Sequence, residues 1–222
     1  MGEPSEPVIR IFGVLDVTGE VIAMWAIVAV AAIIALIIRL NLKERPGRFQ
    51  NLIESAVDYL DNFLADILGK KRARKYMFFL GSLFCFIIIS NYLGLIPGVG
   101  LSDYFSAPTS SLSVTLGLGA MTFVFLQVSG VAGGAKHYVK HFLTPIVPLL
   151  LLDEFIKPAS LALRLFGNIF GEETVIENLY DILPIGAPVI MMALSLLFCA
   201  IQAMVYTMLT ASYLDEILPE EQ

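Results

Sequence analysis

The stretch "EVIAMWAIVAVAAIIALIIRL", Glu20 to Leu40, decides the fold. No residue between Glu20 and Arg39 is charged. A helix rises about 1.5 Å per residue, so roughly 20 apolar residues cross about 30 Å of hydrocarbon. The preceding segment, "MGEPSEPVIRIFGVLDVTGE", is acidic on balance and has no basic n-region. The run is also longer than the apolar region of a signal peptide, so it reads as a retained transmembrane helix.

Four further runs have similar character: 76–97 ("YMFFLGSLFCFIIISNYLGLIP"), 111–133 ("SLSVTLGLGAMTFVFLQVSGVAG"), 146–180 and 186–213. The fourth is too long for a perpendicular crossing and must tilt, bend or lie partly across the membrane. Of the 222 residues, 57% are hydrophobic and only 15% charged, with a mean hydropathy of +0.80. A soluble domain of this size would not carry so much apolar surface. The net charge of -6 and the absence of a basic stripe argue against nucleic acid as a partner. The expectation is one all-α integral membrane domain over 1–222, with five transmembrane helices.

Between the first two runs lies "GRFQNLIESAVDYLDNFLADILG", residues 47–69. Phe49, Leu52, Ile53, Val57, Leu60, Phe63, Leu64, Ile67 and Leu68 fall on one face at helical spacing, and Glu54, Asp58, Asp61 and Asp66 on the other. This predicts an amphipathic helix on the membrane surface or against a partner helix. Packing on the bundle itself is compatible with both.

Of the 14 Lys and Arg, nine lie between Arg39 and Lys75. Lys136 and Lys140 fall in the next loop on the same side, whereas "GVGLSDYFSAPTS" and "DILPIG" have no basic residue. Positive charge stays inside, which places the N-terminus outside and the C-terminus in the cytoplasm. No internal repeat and no inverted-repeat symmetry of the kind common in secondary transporters is visible.

The fourth run contains "SLALRLFGNIFGEE", Ser160 to Glu173. At about 100° per residue, Asn168 lies about 40° and Glu172 about 80° around the helix from Arg164, on one polar stripe, with Glu173 opposite. Leu161, Leu165 and Phe166 are then expected to face lipid. An arginine at mid-membrane costs roughly 2.5–3.5 kcal/mol on insertion scales and cannot shed its proton. It needs a carboxylate or a wet cavity. Two readings stand at this point: a functional cation, or a buried ion pair with Glu172 or Glu173. In the last run Ser195, Gln202 and Tyr206 share a face, and a buried glutamine there reads first as an interhelical hydrogen bond.

The other constellations are bland. His137 and His141 are four apart but have no third ligand nearby, so they read as interfacial histidines. Cys85 and Cys199 read as buried thiols, with neither a disulfide nor a metal pair. There is no P-loop, no GxSxG and no HExxH, so no catalytic nucleotide site and no metal site is expected in the chain, and no cofactor.

Taken whole, Asp153 to Glu173, "DEFIKPASLALRLFGNIFGEE", closely resembles the signature of subunit a of the F-type ATP synthases. "NYLGLIPG" (Asn91–Gly98), "PTSSLSVTLGLG" (Pro108–Gly119) and "IQAMVYTMLTASYL" (Ile201–Leu214) resemble other parts of that family, so the likeness runs from about residue 10 to 215. The resemblance implies a stator whose last crossing packs against a ring of c subunits, with the peripheral-stalk subunit b and the remaining synthase subunits as partners, in lipid. Two offset half-channels would load and unload a ring carboxylate with H+ (alternatively Na+). It implies that Arg164 is the essential arginine, and that Asn168, Glu172, Glu173 and Gln202 serve ion translocation. Ser111, Ser113, Ser195, Tyr206 and Tyr213 would line the half-channels. The chain departs from many bacterial members at Ser111 and Ser113, where Asp and Asn are common, and at Ser195, where some have His; Glu172 is expected to compensate for that histidine. The absence of a targeting segment favours a bacterial plasma membrane. A self-contained transporter or channel is the competing reading; it predicts carboxylate sites closed within the chain. A membrane scaffold predicts that Arg164 is dispensable.

Overall fold

The computed structural model describes residues 9–11, 15–17, 19–40, 47–95, 108–142, 147–183 and 186–219. The side chains of Phe49, His137 and His141, and the end of the Asn91–Gly98 motif, lie outside the described residues.

Six helices dominate: α1 (Gly19–Leu40), α2 (Arg48–Leu68), α3 (Lys70–Gly94), α4 (Leu112–Phe142), α5 (Val147–Ile182) and α6 (Ala187–Ile217). Before α1, β1 (Ile9–Ile11) and β2 (Leu15–Val17) pair antiparallel, Ile9 against Val17. Sequence reading left this hairpin unassigned, because three-residue strands are too short to show a period.

Four helical segments are long and apolar enough to cross a membrane: Val21–Leu40, Lys70–Gly94, Leu112–Gly134 and Ala187–Ile217. Their outer faces carry Trp25, Ile33, Phe78, Val124, Val128, Ile190 and Leu197, all exposed. An apolar surface this extensive belongs in lipid or against partner helices, not in water. The chain is an integral membrane protein. Helix α5 differs: its 36 residues span about 54 Å and include Asp153, Glu154, Lys157, Arg164, Glu172, Glu173 and Glu177.

Helix α6 is central, touching α2, α3, α4 and α5. Toward its C-terminal end, Leu214 and Ile217 pack with Leu60, Leu64 and Leu68 of α2, Tyr76 and Leu80 of α3 and Leu126 of α4. Toward its N-terminal end, Cys199, Ala203 and Tyr206 pack with Leu83 and Ile87 of α3, Leu118 of α4 and Leu161, Leu165 and Ile169 of α5. The apolar stripe of α2 therefore divides. Its C-terminal half closes the first of these cores, whereas Leu52 and Val57 remain exposed.

Two glycines fix the backbone. Gly69 joins α2 to α3 as a single residue at φ 79°, ψ 151°, a conformation essentially restricted to glycine. Gly119 lets α4 meet α5 at the main chain: a Cβ there would stand 2.9 Å from the Pro158 carbonyl oxygen and 3.0 Å from the Ala162 Cβ. Helix α4 leaves helical geometry at Gly134 (φ 159°, ψ 87°), so it is two helices across a kink.

Candidate functional site: a polar line along α5 and α6

Helices α5 and α6 run antiparallel in constant register. Lys157 Nζ meets Glu216 Oε2 at 2.7 Å, Asn168 Nδ2 donates to Gln202 Oε1 at 2.6 Å, and the Cys199 thiol donates weakly to Glu172 Oε2 at 3.9 Å. One ladder of polar contacts thus follows the whole interface. Isolated interhelical hydrogen bonds of this kind contribute about 1 kcal/mol each in membranes, so their value lies in fixing register as much as in stability.

The rotation of α5 differs from the sequence expectation. Leu161 and Leu165 do not face lipid: they are 1% and 0% exposed, inside the bundle with Ile169. Arg164 and Asn168 are exposed on the outer face instead. The helix has apolar residues around most of its girth, so composition alone could not say which side the bundle would take. Next to Arg164 the outer face is small: nothing lies within 4 Å of where a Cβ would stand at Gly167 or Gly171.

Among the described residues Arg164 makes no ion pair and no hydrogen bond. The internal ion pair with Glu172 or Glu173 does not form. Glu172 faces Cys199 and Ser195 of α6, whereas Glu173, on the other side of α5, lies beside Ser110 in the short 3₁₀ turn Pro108–Ser110. The carboxylates thus point away from the cation on separate faces.

Gln202 is 5% exposed. Its oxygen accepts from Asn168, and its Nε2 is buried without a partner. Tyr206 is buried with its hydroxyl 3.2 Å from Thr122 Oγ1 on α4. Thr122 also donates to the Leu118 carbonyl at 2.9 Å, so the two hydroxyls are not equivalent. Thr122→Val strands a buried phenol and is expected to cost about 1–3 kcal/mol, whereas Tyr206→Phe leaves Thr122 with its carbonyl and costs less. Thermal unfolding of the assembled protein checks the order of the two.

The remaining predicted residues scatter. Ser111 takes the Thr115 N–H on its carbonyl at the start of α4, and Ser113 is exposed two residues on. Ser195 is fully buried beside Glu172, with its Oγ lacking a hydrogen-bond partner of good geometry. Tyr213 lies near the far end of α6, where Lys157 Nζ sits 5.3 Å from its ring centroid. Lys157 also pairs with Asp153 at 3.0 Å, and Arg72 of α3 pairs with Asp215 at 2.8 Å.

Sequence reading missed several polar groups. Ser90 Oγ, both amide atoms of Asn91, and Thr109 Oγ1 are buried without partners among the described residues. They sit on the end of α3 and on the 3₁₀ turn that holds Glu173, elements that touch one another. Buried polar atoms of this kind are normally satisfied by water. The signal in the sequence was Ser90-Asn91 at the end of an apolar run, a cost in lipid that needs a reason. The two cysteines also part company: Cys199 is buried, but Cys85 is exposed on the outer face of α3, and neither is in a disulfide.

The α5–α6 surface thus keeps Glu172 and Glu173 partly buried and leaves Arg164 exposed, without an ion pair among the described residues. The profile of the family described as "ATP synthase A chain" matches residues 21–215. Over 203 residues, 88% of this chain and 84% of the relative, the sequence is 34% identical to ATP synthase subunit a 1 of Syntrophotalea carbinolica. The chain belongs to the ATP synthase subunit a family.

Proposed function

We propose that this chain is the ion-translocating stator of a rotary ATP synthase, lying against a ring of c subunits and held by the peripheral-stalk subunit b. The observation that carries this is the unpaired, outward-facing Arg164. A cation without an internal counter-charge at that depth is costly. A carboxylate supplied by a second chain removes the cost, and it does so only while it is ionised.

In this reading α5 is a fifth, tilted crossing, the N-terminus is outside and the C-terminus cytoplasmic, in a bacterial plasma membrane. One half-channel reaches Glu173 past Ser110, Thr109, Asn91 and Ser90, where the orphaned polar atoms are hydrated; Ser111 and Ser113 flank its mouth. Glu172, Ser195, Gln202 and Asn168 continue the path toward Arg164. Ser195 stands where some relatives carry histidine, and Glu172 faces it, which supports Glu172 as the substitute titrating group. The other half-channel leaves past Tyr206 and Tyr213. A ring carboxylate is loaded on one side of Arg164 and unloads on approaching it from the other. Ion flow then turns the ring and drives ATP synthesis in the attached soluble head, with H+ as the ion (alternatively Na+).

Two measurements test the reading. Affinity purification of this chain from native membranes is expected to bring a c-ring and a soluble ATPase head with it; isolation as a self-contained protein that transports ions alone overturns the proposal. ATP-driven acidification of vesicles, followed at low and high sodium, then identifies the ion: acidification indifferent to sodium assigns H+.

A further inference from the structure

We propose that Cys199, Glu172 and Ser195 form a binding site for a thiophilic divalent cation of the Zn2+ type. The thiol Sγ lies 3.9 Å from Glu172 Oε2, on facing helices. A cation with a metal–sulfur bond of about 2.3 Å and a metal–carboxylate bond of about 2.1 Å, at a tetrahedral angle, holds its two donors about 3.6 Å apart. The observed separation is within a few tenths of an ångström of that, inside the reach of one rotamer adjustment of the glutamate. Ser195 is one helical turn from Cys199 on the same face of α6. It is 0% exposed, lies against Glu172, and its Oγ has no hydrogen-bond partner of good geometry. An orphaned buried oxygen beside a thiol and a carboxylate supplies a third donor.

Among the described residues no group of three His, Cys, Asp or Glu side chains is close enough to hold a metal. The site therefore has two charged donors, one neutral donor and an open position for water, unlike a closed structural zinc centre. Binding converts the thiol to a thiolate: the sulfur–metal bond forms as the thiol proton leaves to solvent, so affinity rises with pH. The soft sulfur selects Zn2+ or Cd2+ over Mg2+ and Ca2+. Glu172 is half-buried, which leaves a side from which the ion enters. The consequence for transport rests on the function proposed above: a cation bound to Glu172 occupies the relay and stops pumping.

The chain carries its own control, because its only other cysteine, Cys85, is exposed on a different helix. The assembled synthase is compared as wild type, Cys199→Ala, Cys85→Ala and Glu172→Gln. Cd2+ is titrated while the ultraviolet cadmium–thiolate charge-transfer band is followed. The band is expected to be lost in Cys199→Ala, kept in Cys85→Ala, and to need about tenfold or more Cd2+ in Glu172→Gln. A band unchanged in Cys199→Ala, or an unchanged affinity in Glu172→Gln, overturns the site. Zn2+ is then added to vesicles during ATP-driven acidification, each variant being compared with its own zinc-free rate. Inhibition that weakens about tenfold or more in Cys199→Ala places the site on the ion path. A band that follows Cys199 with no effect on pumping leaves the site standing and removes Glu172 from the relay.

Discussion

Arg164→Ala is expected to abolish ATP-driven acidification of vesicles while leaving the synthase assembled, and to raise the passive leak after an imposed ion gradient. The assembly part follows from exposure: Arg164 is exposed and makes no hydrogen bond or ion pair among the described residues, so its removal leaves the buried cores of the chain intact. The transport part follows from charge. A carboxylate about 4 Å from a guanidinium gains about 4 kcal/mol in its ionised form at an effective dielectric constant near 20. At about 1.36 kcal/mol per tenfold, that is roughly a thousandfold weaker hold on the carried ion. On the proposed function, the ring carboxylate without Arg164 passes still loaded and the ring has no direction. A cation crossing straight between the proposed half-channels is no longer repelled, hence the leak. Arg164→Lys separates the two roles. It keeps the charge but loses the rigid fork, so pumping should fall strongly while the leak stays low. Undiminished pumping by Arg164→Ala would show that the arginine lies off the ion path.

Gly119→Val is expected to cost assembly. A Cβ at this position meets backbone, the Pro158 carbonyl oxygen at 2.9 Å, as well as Ala162 Cβ at 3.0 Å. Backbone cannot turn aside as the end of a flexible side chain can, so α4 and α5 must separate. Overpacking of this kind costs about 1–3 kcal/mol, and the branched valine belongs at the upper end. Pro158 adds to the sensitivity, because it cannot donate to the Glu154 carbonyl and α5 already lacks one helical bond there. The displaced stretch begins six residues before Arg164, so any complex that does assemble carries the cation out of place. The amount of chain recovered with the complex, and pumping per assembled complex, measure both effects; Gly119→Ala should fall between wild type and valine. Normal recovery of Gly119→Val would mean that α4 and α5 are not held in this contact.

Much of the architecture was legible because a membrane simplifies the code. Long apolar runs mark α1, α3, α4 and α6 by length alone, and the split between Leu60, Leu64 and Leu68 on one side and Asp58, Asp61 and Asp66 on the other marks α2. The spacing of Arg164 and Asn168 on one face was visible, as was the bond of Gln202 across helices, but Glu172, expected on the same stripe, turns toward Cys199 and Ser195 of α6 instead. The rotation of α5 was not visible. Leu161 and Leu165 are as apolar as any lipid-facing residue, so hydrophobicity alone does not say which side of α5 turns into the bundle. Long-range pairings were hidden for a different reason: Asn168 with Gln202, Tyr206 with Thr122 and Glu173 with Ser110 depend on helix register, which the sequence carries only jointly. Cys85 was misplaced because an apolar run looks the same from its core side and its outer side.

The ion pairs described here all gather where α6 ends: Lys157 with Asp153 and Glu216, and Arg72 with Asp215 and, through a further hydrogen bond, the Pro219 carbonyl oxygen. Toward the other end the side-chain contacts between α5 and α6 are soft sulfur ones, Cys199 to Glu172 at 3.9 Å and the Tyr180 hydroxyl to Met192 Sδ at 3.8 Å, and the chain itself closes the pair between Ile182 and Ala187. Mechanically, the helix pair is a hairpin pinned by charge at its open end and by the chain at its closed end. A sideways load on the Arg164 face is carried along both helices to the charged end and passes through Arg72 to α3.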